Sequence, residues 1–235
     1  MGKREQRMID PRIWDAAVRL FASKGYAATG IREIGDEAGL SLSAMYYYVA
    51  NKEELLLKIM RDTQERLVAA GSVVAETLPE PALGLAGLVK LHVMTHARKP
   101  LEARVVDTEV RALGEEGRRE MVALRDQYEA LWKDVLSRGA TAGSFTIENR
   151  STARLALLEM CNGVAEWYHP EGSLGIDELA HEFADLALAL VRASRDGSPV
   201  TAGDLDLPDA SWFASLAEGA TLETQLNADK PGVRA

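Results

Sequence analysis

The sequence predicts an all-α fold: an N-terminal three-helix domain built on a helix-turn-helix, joined by a long helix to a C-terminal helical domain. Three observations carry this. Apolar residues recur at three- and four-residue spacing along successive segments, as amphipathic helices require. Ala, Leu and Val dominate a chain that is 47% hydrophobic, enough for a sizeable core, while β-branched runs are few. Leu78-Pro79-Glu80-Pro81 then breaks the pattern and marks a boundary, giving domains over 10–70 and 78–195.

Asp10-Pro11 sets an N-cap before a proline at the first helical position and opens a helix over 11–24, ended by Gly25. Its apolar face is Ile13, Ala17, Leu20 and Phe21. Thr29 is the expected N-cap of a second helix, with Glu33 in the first turn, where the helix dipole favours an acid. Ile31, Ile34 and Ala38 share one face of it, and Gly39 stands where the chain must turn with positive φ. Ser41 caps a third helix of about two turns, with Leu40, Ala44 and Met45 packing back on the second. Small residues early in that helix and Tyr46, Tyr47 and Tyr48 late in it suit the major groove of DNA. Small side chains admit the backbone to base edges, and phenols reach phosphates. Three consecutive helical residues point about 100° apart, so the tyrosines cannot all face one core. Asn51 caps the next helix, 51–73, with Glu53 and Glu54 in its first turn.

Helices are expected over 81–98, 101–113, 115–140, 149–168 and 175–194. The last two carry Leu155, Leu158, Val164 and Trp167, and Leu179, Phe183, Leu186, Leu190 and Val191. Residues 1–9 form a basic arm. From Asp196 the composition turns to Gly, Ser, Pro, Asp and Thr, predicting a flexible tail over 196–235 with Ser211–Leu216 as a docking segment within it.

Charge is unevenly spread. The net charge is −9, yet residues 1–66 hold 11 Lys/Arg against 10 Asp/Glu, and residues 67–235 hold 16 against 26. An acidic remainder would repel DNA everywhere but at the N-terminal edge and so orient an encounter. The N-terminus lacks the apolar stretch of a secretion signal and no segment approaches a membrane span, so a cytoplasmic protein is expected.

No phosphate loop, dinucleotide fingerprint or nucleophile elbow is present. The single cysteine, Cys161, has no histidine at a suggestive distance and reads as a buried thiol. His92 and His96 share a helix face, but a metal would need a third ligand from another helix, such as Asp107 or Glu109. Neither enzyme activity, nor a metal, nor a cofactor is expected. Polar residues that interrupt apolar helical faces point instead to a small-molecule cavity: His92, His96, Arg104, Asp107, Glu109, Arg111, Tyr128, Trp132, Asn162, Glu166 and Trp167.

Residues 10–66 resemble the DNA-binding domain of the TetR family of bacterial transcriptional regulators. The similarity rests on Ala-Ala-Val-Arg-Leu-Phe-Ala-Ser-Lys-Gly-Tyr (16–26), Thr29, Ile34, Ala38-Gly39-Leu40-Ser41, Met45-Tyr46-Tyr47-Tyr48-Val49 and Asn51-Lys52-Glu53-Glu54-Leu55. The resemblance implies phosphate contacts from Thr29, Tyr46, Tyr48 and Lys52, with Arg32, Leu42, Ser43, Ala44 and Tyr47 facing bases or their sugars. The chain departs from the family's usual pattern at Ser43 (Gly or similar), Tyr48 (His) and Val49 (often Phe), so the bases read do not carry over. The resemblance also implies a homodimer formed through the last two helices, with Leu155, Leu158, Leu179, Phe183, Leu186 and Leu190 at the interface. A dimer would bind a pseudo-palindromic operator on double-stranded DNA and be released by an effector.

The segment Gly163-Val164-Ala165-Glu166-Trp167-Tyr168-His169-Pro170-Glu171-Gly172 is similar to family members that control lipid or steroid catabolism and respond to acyl-CoA thioesters. An acyl-CoA effector would need cations for its phosphates, for which Arg98, Lys99 and Arg104 are candidates. The alternative is a degenerate member that binds ligand or protein without an operator; the intact Thr29, Tyr46, Tyr48 and Lys52 set stands against it.

Overall fold

Proline at 11 and glycine at 25 bound the first helix where the sequence places them. In the computed structural model, which describes residues 8–219, α1 spans Pro11–Lys24. The Asp10 carboxylate accepts the Arg12 N–H, and Gly25 closes the helix at φ +82°. The chain divides into two units. One comprises residues up to Gln64 together with Leu101–Ala123, and the other Glu65–Pro100 with the residues from Leu124 on.

In the first unit, α2 (Ile31–Glu37) and α3 (Leu42–Tyr48) follow α1, and α4 (Lys52–Thr77) begins. Ile13, Phe21, Ile34, Met45, Leu55, Leu56 and Ile59 are all buried. Ion pairs from Arg19 to Glu37 (3.2 Å) and from Lys24 to Glu33 join α1 to α2. The sequence assigned residues 101–123 to the second domain; they group instead with the first. Three hydrogen bonds explain this. The Trp14 indole donates to Glu102 at 3.2 Å, the Tyr26 N–H to Glu109 at 3.0 Å, and the Gly114 N–H to Glu53 at 2.7 Å. The segment expected as one helix over 101–113 is the helix α6 (Pro100–Thr108) and a 3-10 turn at Glu109–Ala112.

In the second unit, α5 (Pro81–Arg98) buries 14 of its 18 residues, so it serves as the central helix. Around it pack α8 (Arg150–Asn162), α9 (Val164–Trp167) and α10 (Ile176–Leu190). The single helix expected over 149–168 is interrupted at Gly163, where the Glu166 N–H bonds three residues back. The remaining long helix, α7 (Glu115–Thr141), carries Tyr128, Trp132, Val135 and Leu136 into this core.

The expected flexible tail is folded as far as residue 219. Ser194–Arg195 and Ser198–Pro199 form an antiparallel hairpin, turned by Asp196 (φ +52°) and Gly197 (φ +79°). Both turn residues take positive φ, as a two-residue hairpin loop demands. The Asp185 carboxylate then accepts the Ala202 N–H at 2.6 Å, and Asp209 caps α11 (Ala210–Ala217). Phe213 and Leu216 are fully buried, and α11 lies on α5. Their burial outweighs the polar composition of the linker. Lys90, buried on α5, pairs with Asp177 at 3.0 Å with its ammonium 5.7 Å from the Phe213 ring, so this interior charge has its counter-ion. Positions 1–7 of the basic arm and 220–235 of the tail lie outside the described residues.

Candidate nucleic-acid interface and effector cluster

The helix-turn-helix is held by a short loop and one lysine. Thr29 is 2% exposed, and its hydroxyl donates to the Gly25 carbonyl at 2.9 Å. It therefore neither caps α2, whose N-cap is Gly30 without a side-chain bond, nor offers its hydroxyl to a phosphate. The Lys52 ammonium donates to the carbonyls of Tyr26 (2.6 Å) and Thr29 (2.7 Å) and sits 4.0 Å from the Tyr26 ring centroid. This residue, expected on DNA, staples the α1–α2 loop to the start of α4. Sequence reasoning counted Tyr26 in the 16–26 segment of the resemblance but did not identify it as the partner of Lys52.

Gly39 turns the chain at φ +68°, and the Leu40 N–H closes on the Gly35 carbonyl at 2.8 Å. Gly35 is closely packed: a Cβ there would lie 3.1 Å from both the Leu40 oxygen and Met45 Cγ, which would have to give by a few tenths of an ångström. Ser41 caps α3 by accepting the Ala44 N–H at 3.2 Å, and Lys58 satisfies the Tyr48 carbonyl at 3.2 Å. Asn51 caps α4 through the Glu54 N–H at 2.8 Å, as expected. Met45 anchors α3 in the core. Ser43, Tyr46 (45%) and Tyr47 (59%) face outward with Arg32 of α2, whereas Leu42, Ala44 and Tyr48 are half-buried. Tyr48 meets Tyr47 edge-to-face at 5.2 Å. The result is a short helix with small and phenolic groups on its free side.

In the second unit, five of the cavity residues come together. His92 Nε2 lies 2.9 Å from the Asn162 side-chain oxygen, which can only accept, so Nε2 carries the proton. His92 Nδ1 then accepts from the Tyr128 hydroxyl at 3.1 Å. The imidazole is thus satisfied while neutral, and burial followed by the neighbouring His96 holds its pKa well below the usual value. His96 stacks on it at 4.0 Å and bonds the His92 carbonyl through Nδ1 at 3.0 Å. With both His92 nitrogens engaged, the His92/His96 face does not present a metal pair. Burial also raises the Tyr128 phenol and the Cys161 thiol far above their usual ranges, leaving both protonated. Trp132 completes the group, 5.9 Å from His92 and 6.2 Å from Tyr128 between ring centres. Its buried indole N–H favours the Tyr128 oxygen electrostatically but makes no hydrogen bond of normal geometry.

The other predicted cavity residues do not join them. Arg104, Asp107, Glu109 and Arg111 belong to the first unit, and Glu166 and Trp167 are exposed, Trp167 stacking on Phe183 at 6.1 Å. The expected dimer face also divides. Leu158, Leu179 and Phe183 are buried within the protomer, filled by its own helices, while Leu155 (51%), Leu186 (53%) and Leu190 (41%) stand exposed.

The family model for bacterial regulatory proteins of the tetR family matches residues 13–59, and that for the tetracyclin repressor-like C-terminal domain matches 79–191. The solved regulator PfmR of Thermus thermophilus is 30% identical, with 78% of this chain and 99% of that one aligned at a TM-score of 0.69. The chain belongs to the TetR family of bacterial transcriptional regulators. Among other TetR-family proteins, the transcriptional repressor KstR2 of Mycolicibacterium smegmatis is 23% identical over 181 residues, 76% of this chain and 88% of the relative. AibR, solved with isovaleryl coenzyme A and operator DNA, shares the fold at a TM-score of 0.69 and 20% identity, over 75% of this chain and 96% of that one. These TetR-family relatives regulate transcription. No helix among the described residues is long and apolar enough to cross a membrane.

Proposed function

We propose that this protein is a cytoplasmic, ligand-responsive repressor that binds a pseudo-palindromic operator as a homodimer. The observation that carries the reading is the outward face of α3, with Ser43, Tyr46 and Tyr47 exposed, as is Arg32 of α2, on a frame fixed by Gly39 and Lys52. One such helix contacts too few base pairs to select a site in a genome, so two copies are needed, about 34–36 Å apart on one turn of DNA. Leu155, Leu186 and Leu190 are exposed apolar residues available to a partner copy.

The buried His92–Tyr128–Asn162–Trp132 group supports a small-molecule effector. The Trp132 indole N–H, which makes no hydrogen bond of normal geometry, is a donor that a polar ligand atom would satisfy. The acyl-CoA bound by AibR supports that ligand class as the first to test. The effector acts by preferring the state in which the two recognition helices no longer match one DNA turn, which needs on the order of 1–3 kcal/mol of coupling. Fluorescence anisotropy with DNA from upstream of the protein's own gene, against scrambled competitor, tests the reading. Tight, competitor-resistant binding by two protomers supports it, and equal weak binding to both DNAs overturns it. Acyl-CoA esters added to the complex then test release.

A further inference from the structure

The family's C-terminal model ends at residue 191, yet the chain continues through the hairpin into α11, folded on α5. That extension walls a cleft. A cavity of about 370 Å³ opens at the C-terminal end of α5, where Arg98 and Lys99 face Pro170, Ile176, Ala217 and Glu218. We infer that this cleft binds the phosphate group of a small anionic ligand, with the apolar wall taking the ligand's uncharged body. The inference deepens the effector reading by naming where an anionic end is held, but its test reads binding without DNA, so either can fail alone.

Size permits it, since pockets for small ligands begin at roughly 300 Å³. Charge selects the anion, because two cations meet here on a chain of net charge −9. Arg98 offers a planar fork suited to two phosphate oxygens and Lys99 a mobile point charge. Ile176 opens the 15-residue helix α10, whose N-cap Gly175 supplies no side-chain acceptor, so its first-turn amides add positive potential at the same wall, reduced by the Asp177 and Glu178 carboxylates of that turn, of which Asp177 is paired with Lys90. Two other features oppose binding. The last carbonyls of α5 are a negative pole, offset by Arg98 in its final turn. The Thr95 hydroxyl donates to the Leu91 carbonyl at 2.8 Å and is spent.

Glu218 decides the balance. Its carboxylate lies 3.7 Å from Arg98, beyond the 2.7–2.9 Å of a direct charge-assisted bond, and it is 68% exposed. A pair so solvated contributes little. Glu218 thus occupies the Arg98 fork loosely, and a phosphate dianion displaces it.

Isothermal titration of the full chain with adenosine 3′,5′-bisphosphate, pyrophosphate and neutral adenosine tests the site. The bisphosphate should bind saturably, pyrophosphate more weakly, and adenosine not at all. Arg98→Ala should weaken the bisphosphate about tenfold or more, the loss of one charge-assisted contact. Glu218→Gln should tighten it, and this opposite sign keeps the proposal testable if Arg98→Ala disturbs the fold. Absence of saturable binding by both phosphates, unchanged affinity in Arg98→Ala, or weaker affinity in Glu218→Gln would each overturn it.

Discussion

Lys52 illustrates how a side chain's partners decide what its mutation reports. With two carbonyls and an aromatic face around its ammonium, it is part of the frame. Lys52→Met should therefore lower folding stability by about 1–2 kcal/mol in urea unfolding, on top of any loss on DNA. Tyr47→Ala, at an exposed position, should leave stability unchanged and weaken or broaden operator choice. Equal stability loss in both variants would refute this division. His92 gives a second residue-scale prediction. Its pKa is depressed in the fold, so between that value and the ordinary one near 6.5 the unfolded chain binds the extra proton. The stability from keeping this imidazole neutral is complete above about pH 6.5 and declines as pH falls below it. Melting temperature should drop from pH 6.5 toward 5, less steeply in His92→Gln, which retains hydrogen-bonding capacity; parallel slopes would contradict the assignment. Sequence alone identified the polar residues of this group but could not tell which of them converge. Periodicity places His92 on a face of α5, whereas its meeting with Tyr128 and Asn162 depends on helices 36 and 70 residues away. The inward turn of Thr29 was hidden for the same reason, since a cap and a loop-closing hydroxyl use the same residue type.

Among the elements, those with covalent punctuation were the most legible. Pro11 with Gly25, and Pro81 with Pro100, bracket α1 and α5, because proline suits a first turn and glycine or proline ends one. The turn between α2 and α3 was legible through Gly39. An added Cβ there meets nothing, so Gly39→Ala isolates the cost of backbone strain, about 1–2 kcal/mol. Thermal melts should show that loss with helix content otherwise retained; an unchanged melting temperature would mean the turn relaxes. Gly139 is the opposite case. A methyl there would lie 2.0 Å from the Phe145 ring, so Gly139→Ala must displace Phe145 from the core and should destabilise by about 1–3 kcal/mol. The folded extension was the element most misjudged. Asp196-Gly197 is a strong hairpin signal, and Asp209 before Trp212, Phe213 and Leu216 reads as a capped amphipathic turn. Gly, Ser and Pro enrichment pointed the other way, since composition describes turns and flexible chain alike.

For the whole molecule, the main expectation concerns association. Leu155, Leu186 and Leu190 are exposed, whereas three leucine and phenylalanine neighbours once expected beside them are core. Leu186→Glu should give a folded monomer by sedimentation equilibrium, with operator affinity lost, whereas Phe183→Glu should lose the fold itself. A dimeric Leu186→Glu protein would exclude this face. Charge segregation was plain in the sequence and needed no fold to interpret. One consequence follows from the way α3 is fixed. Met45 is its only fully buried side chain, and its two ends are secured by Ser41 and Lys58 rather than by the residues that face outward. Ser43, Tyr46 and Tyr47 can be exchanged with little effect on folding. The vocabulary this protein reads can thus drift with its promoters while its architecture stays under separate selection.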